Sequence, residues 1–526
     1  MLNYLSLFSN FFLSFFNYLL FFPLPFPSLF SDVLHFLLPC LQIVSDCGAI
    51  GDILYTHHYT NTTSETCQVA LYAGTDLDCG SFYYSYMAHA VKHNAVNETA
   101  INEALIRLFT ARFMLGMFDG SDQCDYQTIP PSSINTPYAQ HLALQMARES
   151  IVLLKNQNNL LPLSKNITVA LIGPQTNASI TLLGDYYGTP PYIITALEGV
   201  QQKGVKYIYS MGCQVLGNDT SGFNAALAAA KKADIAILFV GLNQSVESEG
   251  LDRYNLTLPG VQEDLVRLIS SKSGKPVVVV LINGGPVAID WISENVPAIV
   301  EAWYPGQSGG AAIADVLFGD YNPGGRLPVT IYHEKYVNQI SMFDMNMRPY
   351  PGRTYRYLQI PAIYPFGYGL SYTSFLTQWL TNKTLGSEGE QHPMVLSSGE
   401  KVFGRRIKPF EEISFRALVK NTGSRSGDEV TLAFYSHDNS TGCGVPNPIK
   451  QLFGFKRSQL KVGQGVELFF SLAPTSVDEK GRKFVCSGIY KVVAGLEKHE
   501  GGVSDAPVEY FEVLSSSGKH GERFYF

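Results

Sequence analysis

Four short apolar runs, at 167–172, 235–240, 277–282 and 298–302, recur through the middle of this chain. Helix-patterned stretches at 225–233, 261–270 and 311–318 separate them. A run without polar alternation reads as a strand buried on both faces. Strands that alternate with helices are joined by crossovers, which predicts a mainly parallel sheet with helices on both sides. Ligands of such sheets gather beyond the carboxyl ends of the strands. The run at 235–240 ends at Gly241, and the loop after it carries Glu247, Glu249, Asp252 and Arg253. From the residues alone, a solvated loop and a functional one read equally well.

Composition removes several classes of function. At 526 residues the chain has room for two to four domains, each able to bury a core. Net charge is −7 and no basic cluster occurs, which excludes a nucleic-acid partner. The eight cysteines form no CxxC or Cys/His spacing expected of zinc, and no metal or organic cofactor is expected. Gly173-Pro174 and Gly284-Gly285-Pro286 make neither a dinucleotide fingerprint nor a Walker pattern and read as tight turns. Nine Asn-x-Ser/Thr sequons, at Asn61, Asn97, Asn166, Asn177, Asn218, Asn243, Asn255, Asn382 and Asn439, fit an extracellular or lysosome-like secretory route.

The segment Ser248-Glu249-Gly250-Leu251-Asp252-Arg253, with Leu256-Thr257-Leu258-Pro259 after it, resembles the acid/base loop of glycoside hydrolase family 3. The resemblance continues through Ala147-Arg148-Glu149-Ser150, Pro305-Gly306-Gln307-Ser308-Gly309-Gly310 and Asn322-Pro323-Gly324-Gly325-Arg326-Leu327-Pro328. It implies a retaining exo-β-glycosidase acting on an oligosaccharide or polysaccharide, with Glu249 as acid/base. Glu247 is the competitor, two residues away, while Asp252 and Arg253 are expected to pair with each other or to pin the loop. Asp46, at the end of the short apolar stretch Leu41-Gln42-Ile43-Val44, takes the place of the family's nucleophile. Cys47 after it, and His58-Tyr59-Thr60 downstream, imply the β-xylosidase branch. A β-glucosidase or α-L-arabinofuranosidase of the same family is the alternative. Lys92-His93 lies after the nucleophile stretch and reads as surface. Retention demands two carboxyl groups about 5–5.5 Å apart, the acid/base being kept protonated by burial and a nearby negative charge.

The implied architecture is α/β. It comprises the remnant of a (β/α)8 barrel at 43–120, an α/β sandwich with a mainly parallel sheet at 135–375, a linker at 376–402, and a fibronectin type III-like β-sandwich at 403–515. Residues 97–117 read as an amphipathic helix capped by Asn97 or Thr99, with Ile101, Leu105, Leu108 and Phe109 on its inner face. Cys47 and Cys79 end what read as neighbouring barrel strands and are expected to be bridged, since adjacent strands lie about 4.8 Å apart. Cys443 and Cys486 are a second pair. A (β/α)8 barrel takes roughly 200–250 residues, and 43–118 supply about two of its units. The chain as written is therefore expected to have negligible glycosidase activity, and a non-catalytic remnant is the reading from a different class. Residues 1–42 hold ten of the 32 Phe. Residues 2–22 are long and apolar enough for a signal or membrane anchor, and only on that reading is a membrane a partner. Without any Lys or Arg before Lys92, however, the stretch reads rather as translated intron or a wrong start.

Overall fold

The structure, a computed structural model, describes residues 42–120, 128–380, 391–438, 443–444, 447–478, 482–496, 506–516 and 520–525. The leader read at 1–42 lies almost wholly outside the described residues, as do the sequons at Asn382 and Asn439. Two compact units divide between Ile134 and Asn135. Among the described residues no helix is long and apolar enough to cross a membrane.

In the first unit, helices α1 (Ala49–Tyr55), α2 (Thr63–Tyr72), α3 (Phe82–Lys92) and α4 (Glu98–Met114) pack around Ile50, Cys67, Leu71, Phe82, Ala90 and Ala104. The stretches leading to Asp46 and Asp76 run side by side, making a parallel bridge between Val44 and Leu77. Asp76 is buried there. It accepts from Ile43 N at 3.0 Å and from Arg107 Nε at 2.9 Å, tying α4 to both stretches. Asn97 caps α4 through Ala100 N, as its sequence position predicts. The helix stops three residues early, because Gly116 takes the left-handed conformation (φ 68°) that commonly ends helices. Its inner stripe also differs from the expected one. Ala104 and Leu108 are buried, whereas Leu105 and Phe109, one position off that stripe, are about two-fifths exposed. Lys92 and His93 are exposed, as read. Cys47 and Cys79 form the expected disulfide.

The second unit opens with α5 (Pro137–Ser150) and then builds a six-stranded sheet. Its strands are β1 (Val152–Asn156), β2 (Thr168–Ile172), β3 (Lys206–Ser210), β4 (Ile235–Gly241), β5 (Val277–Ile282) and β6 (Ala298–Glu301), in spatial order β1-β6-β5-β4-β2-β3. All pairings are parallel except β1 with β6. Helices α6 (Ala196–Gln202), α7 (Phe223–Lys232), α8 (Gln262–Lys272), α9 (Asp290–Asn295) and α10 (Gly309–Leu317) cover the faces. Leu238 and Val240 point into the core shared with α7, α8 and α9, and Ile237 and Phe239 into that shared with α5, α6 and α10. Burial on both sides is why these strands are apolar throughout. The mainly parallel α/β fold is as predicted, with two edge strands, β1 and β3, beyond the four expected.

From Phe375 on, the described residues of this unit form only strands: β7 (Phe375–Trp379), β8 (His392–Val395), β9 (Lys401–Ile407), β10 (Ile413–Asn421), β11 (Gly427–His437), β12 (Gln451–Leu460), β13 (Gly465–Leu472), β14 (Ser476–Val477), β15 (Lys483–Cys486), β16 (Gly488–Ala494), β17 (Val508–Val513) and β18 (Arg523–Tyr525). A three-stranded sheet, β13-β10-β7, shares its core with a six-stranded one, β12-β11-β16-β17-β9-β8, through Phe415, Tyr435, Val492 and Phe511. Of the linker expected at 376–402, residues 381–390 lie outside the described residues, and both flanks are strands. Strands β7 and β8 and the start of β9 lie in it, because β7 pairs along β10 with Trp379 against Phe415. Asn421 makes the predicted turn. It is fully buried, donates to Arg425 O (2.7 Å) and Leu460 O (3.1 Å), and accepts from Gly423 N at 3.1 Å. Polar contacts join the two halves of the unit: Tyr321 to Asp428 at 2.7 Å, and Arg326 to Glu429 at 2.7 Å. Cys443 and Cys486 are bridged, as expected.

Candidate active site

Strand β4 delivers its loop through a glycine that nothing else could replace. Gly241 has φ 150°, and a Cβ there would stand 1.9 Å from Ile282 O on the neighbouring strand. Buried Gln262, at the start of α8, then pinches the loop at its base. It accepts from Gly241 N at 2.9 Å and donates to Gly241 O at 2.9 Å and Pro259 O at 3.2 Å. Farther in, Asn243 accepts from Ser245 N and Oγ, and Glu247 N donates to Asn243 O at 3.0 Å, curling the chain into a turn.

Glu247 faces inward at the carboxyl ends of the strands. It accepts from Gly284 N at 2.7 Å, Gly285 N at 3.0 Å and the Tyr304 hydroxyl at 2.7 Å, with Arg253 Nε 3.7 Å away. Arg253 also donates to Pro286 O at 3.1 Å. The expected pairing of Arg253 with Asp252 therefore does not form. Arg253 pins the loop through Glu247 and Pro286, and Asp252 is exposed. Burial and the hydrogen bond to Glu247 push the Tyr304 hydroxyl well above its ordinary pKa.

Glu249 stands two residues on, in the turn Ser248–Leu251, closed by Leu251 N donating to Ser248 O at 3.0 Å. Gly250 supplies the positive φ (70°) that this turn needs at its third position. The Glu249 backbone N–H donates to Asp185 Oδ2 at 2.8 Å, while its side chain is exposed. The turn tip thus carries the Glu249 side chain at the surface of this unit. Asp46, in the first unit, is likewise exposed. Its Oδ1 accepts from Cys47 N at 2.8 Å, ahead of Gly48 (φ 79°) and α1. Of the sequence-read residues, the fold gathers Glu247 and Arg253 around the Gly284–Gly285 turn and presents Glu249 above them.

Sequence reasoning missed Glu301, Asn283 and Tyr304. Glu301 ends β6 with no exposed surface, and its carboxyl accepts from Trp303 N at 3.2 Å. Burial pushes it up to about 8; the nearby charge of Glu247 adds to this, and hydrogen bonds from Trp303 and Asn283 oppose it. Trp303 itself is held at φ 58°, a backbone strain of the kind that persists where the surroundings over-determine it. An acid inside the otherwise apolar run 298–302 was the signal that could have found Glu301.

Comparisons with known proteins bear on the chain's family. Residues 151–372 match the glycosyl hydrolase family 3 C-terminal domain. The chain is 39% identical over 481 residues to a probable exo-1,4-beta-xylosidase bxlB of Aspergillus terreus, covering 90% of this chain and 60% of that one. It is 38% identical over 480 residues to beta-D-xylosidase 1 of Arabidopsis thaliana, covering 87% of this chain and 61% of that one. Among solved structures it superposes on a GH3 exo-beta-xylosidase, XlnD, in complex with a xylobiose aziridine activity-based probe. That match has a TM-score of 0.77 and 32% identity, and covers 92% of this chain and 62% of that one. The chain thus spans about three-fifths of the length of the curated relatives it matches. The chain carries a glycosyl hydrolase family 3 C-terminal domain at 151–372 and is similar over about nine-tenths of its length to exo-beta-xylosidases of that family.

Proposed function

We propose that this chain serves a retaining exo-β-glycosidase that releases terminal β-xylosyl residues from xylan-derived oligosaccharides. Asp46 is the nucleophile and Glu249 the acid/base. In the first step the Asp46 carboxylate attacks the anomeric carbon and the glycosidic C–O bond breaks. Glu249 gives its proton to the departing oxygen, leaving a glycosyl ester. Water then attacks that ester, Glu249 takes the water's proton, and the sugar leaves with its β configuration retained. The observation that carries the assignment is the division of labour in the β4 loop. Glu247 is occupied by two backbone amides, a phenol and a guanidinium, whereas Glu249 is exposed at the tip of the turn.

On the same reading, residues 43–120 are the C-terminal part of a (β/α)8 barrel, with the paired stretches at Val44 and Leu77 as neighbouring strands. The all-β part is a fibronectin type III-like module with a packing role. Two disulfides and exposed sequons at Asn61, Asn97, Asn166, Asn177, Asn218 and Asn255 support a secretory route. The test is a substrate panel on the full-length enzyme with a complete barrel: aryl β-xyloside, β-glucoside and α-L-arabinofuranoside. The highest kcat/KM is expected on the β-xyloside. A preference for either other sugar would move the assignment to that activity, and no turnover on any of them would favour a non-catalytic role.

A further inference from the structure

We propose that Glu247 is a positioning residue for catalysis, the clamp that fixes the turn bearing Glu249 at the carboxyl ends of β4, β5 and β6. The inference rests on reading Glu249 as the acid/base. Each arm of the clamp comes from a different element. Gly284 and Gly285, just past β5, give two amides to one carboxylate. Tyr304, just past β6, gives its hydroxyl, and Arg253, on the far side of Glu249 in the same loop, closes the ring and reaches Pro286. The turn 248–251 is therefore tethered on both sides, at 247 and at 253, with Glu249 between. The glycines are part of the device: a Cβ at Gly285 would lie 2.5 Å from Arg253 Nη2 and 2.9 Å from Glu247 Oε2. Behind the clamp, Glu301 and Asn283 are fully buried and line the same strand ends. A carboxylate at 247 suits this ring because all four partners are donors. An amide there would turn an N–H2 group towards other N–H groups.

Two measurements test this. In the chain as it stands, hydrogen exchange of the Glu249, Gly284 and Gly285 amides should speed up about tenfold or more in Glu247→Gln. In the full-length enzyme, the same variant should lose kcat on xylosides with poor leaving groups by about ten- to a hundredfold. That is part of the 10²–10⁴-fold that general acid help is worth. KM should stay within about twofold, and dinitrophenyl xyloside, which needs no proton, should be cleaved at the wild-type rate. Gly285→Ala, which crowds the clamp without touching either carboxyl group chemically, should reproduce this leaving-group signature. If Glu247→Gln keeps wild-type exchange and wild-type kcat on both substrate types while Glu249→Ala shows the leaving-group defect, Glu249 stands and the clamp falls. Should Glu249→Ala cleave poor leaving groups like the wild type, the acid/base reading falls and the clamp goes with it.

Discussion

At the scale of single residues, the carboxyl groups around β4 and β6 divide by what surrounds them rather than by type. Glu249 meets water, Glu247 meets donors, and Glu301 meets an apolar core that makes its charge costly. Glu301 accordingly has a folded value near 8 against an ordinary 4.5. Folding takes up a proton between those values. The stability tied to neutral Glu301 is whole below about 4.5, erodes as pH rises and is gone above about 8. Glu301→Gln keeps the shape without the titration. Melting temperature followed from about pH 5 to pH 8.5 should fall less for that variant than for the wild type. Parallel curves would show that Glu301 is ionised throughout. Sequence could name Glu249 because the turn motif around it is local. It could not separate Glu247 from Glu249 by chemistry, since the partners of Glu247 come from 284, 285 and 304, far along the chain.

At the scale of elements, the central strands were legible and the edges were not. Residues 235–240 and 277–282 are buried on both faces, so their composition alone announces them. Strand β3 (KYIYS) is an exposed edge with mixed residues, and β1 runs straight on from α5, hiding its start. The same limit bears on the stretch read as a linker, for β7 and β8 are short edge strands, and β7's partner β10 lies more than thirty residues ahead. Helices of the second unit are held together partly by one buried acid. Asp315 on α10 is almost fully buried and pairs with Arg148 of α5, whose Nε lies at 2.6 Å, and with Lys203 at the end of α6. Both cations keep some contact with water. Asp315→Ala should therefore cost about 2–3 kcal/mol, less than the 3–5 typical of a wholly buried pair that loses one partner. Chemical denaturation would measure it. A change under about 0.5 kcal/mol would place Asp315 among surface ion pairs.

At the scale of the whole molecule, two compact units carry the two proposed catalytic carboxyl groups, Asp46 in the first and Glu249 in the second. The sequence conveyed the order of folds along the chain, because strand period and helix period change visibly at the α/β and all-β stretches. It did not convey that the α/β and all-β stretches form one unit. That follows from side-chain contacts such as Tyr321 with Asp428 and Arg326 with Glu429, which no local pattern announces. The claim on which the account turns is that Glu249 is the acid/base acting with a nucleophile that forms a glycosyl ester. Azide tests it most directly, since a small anion enters the space left by a deleted acid/base and attacks the ester without needing a proton removed. In the full-length enzyme, Glu249→Ala with azide should regain turnover on an activated aryl β-xyloside and yield β-xylosyl azide. Glu249→Ala near wild-type activity without azide, together with azide rescue of Glu247→Ala, would contradict the account and move the acid/base to residue 247.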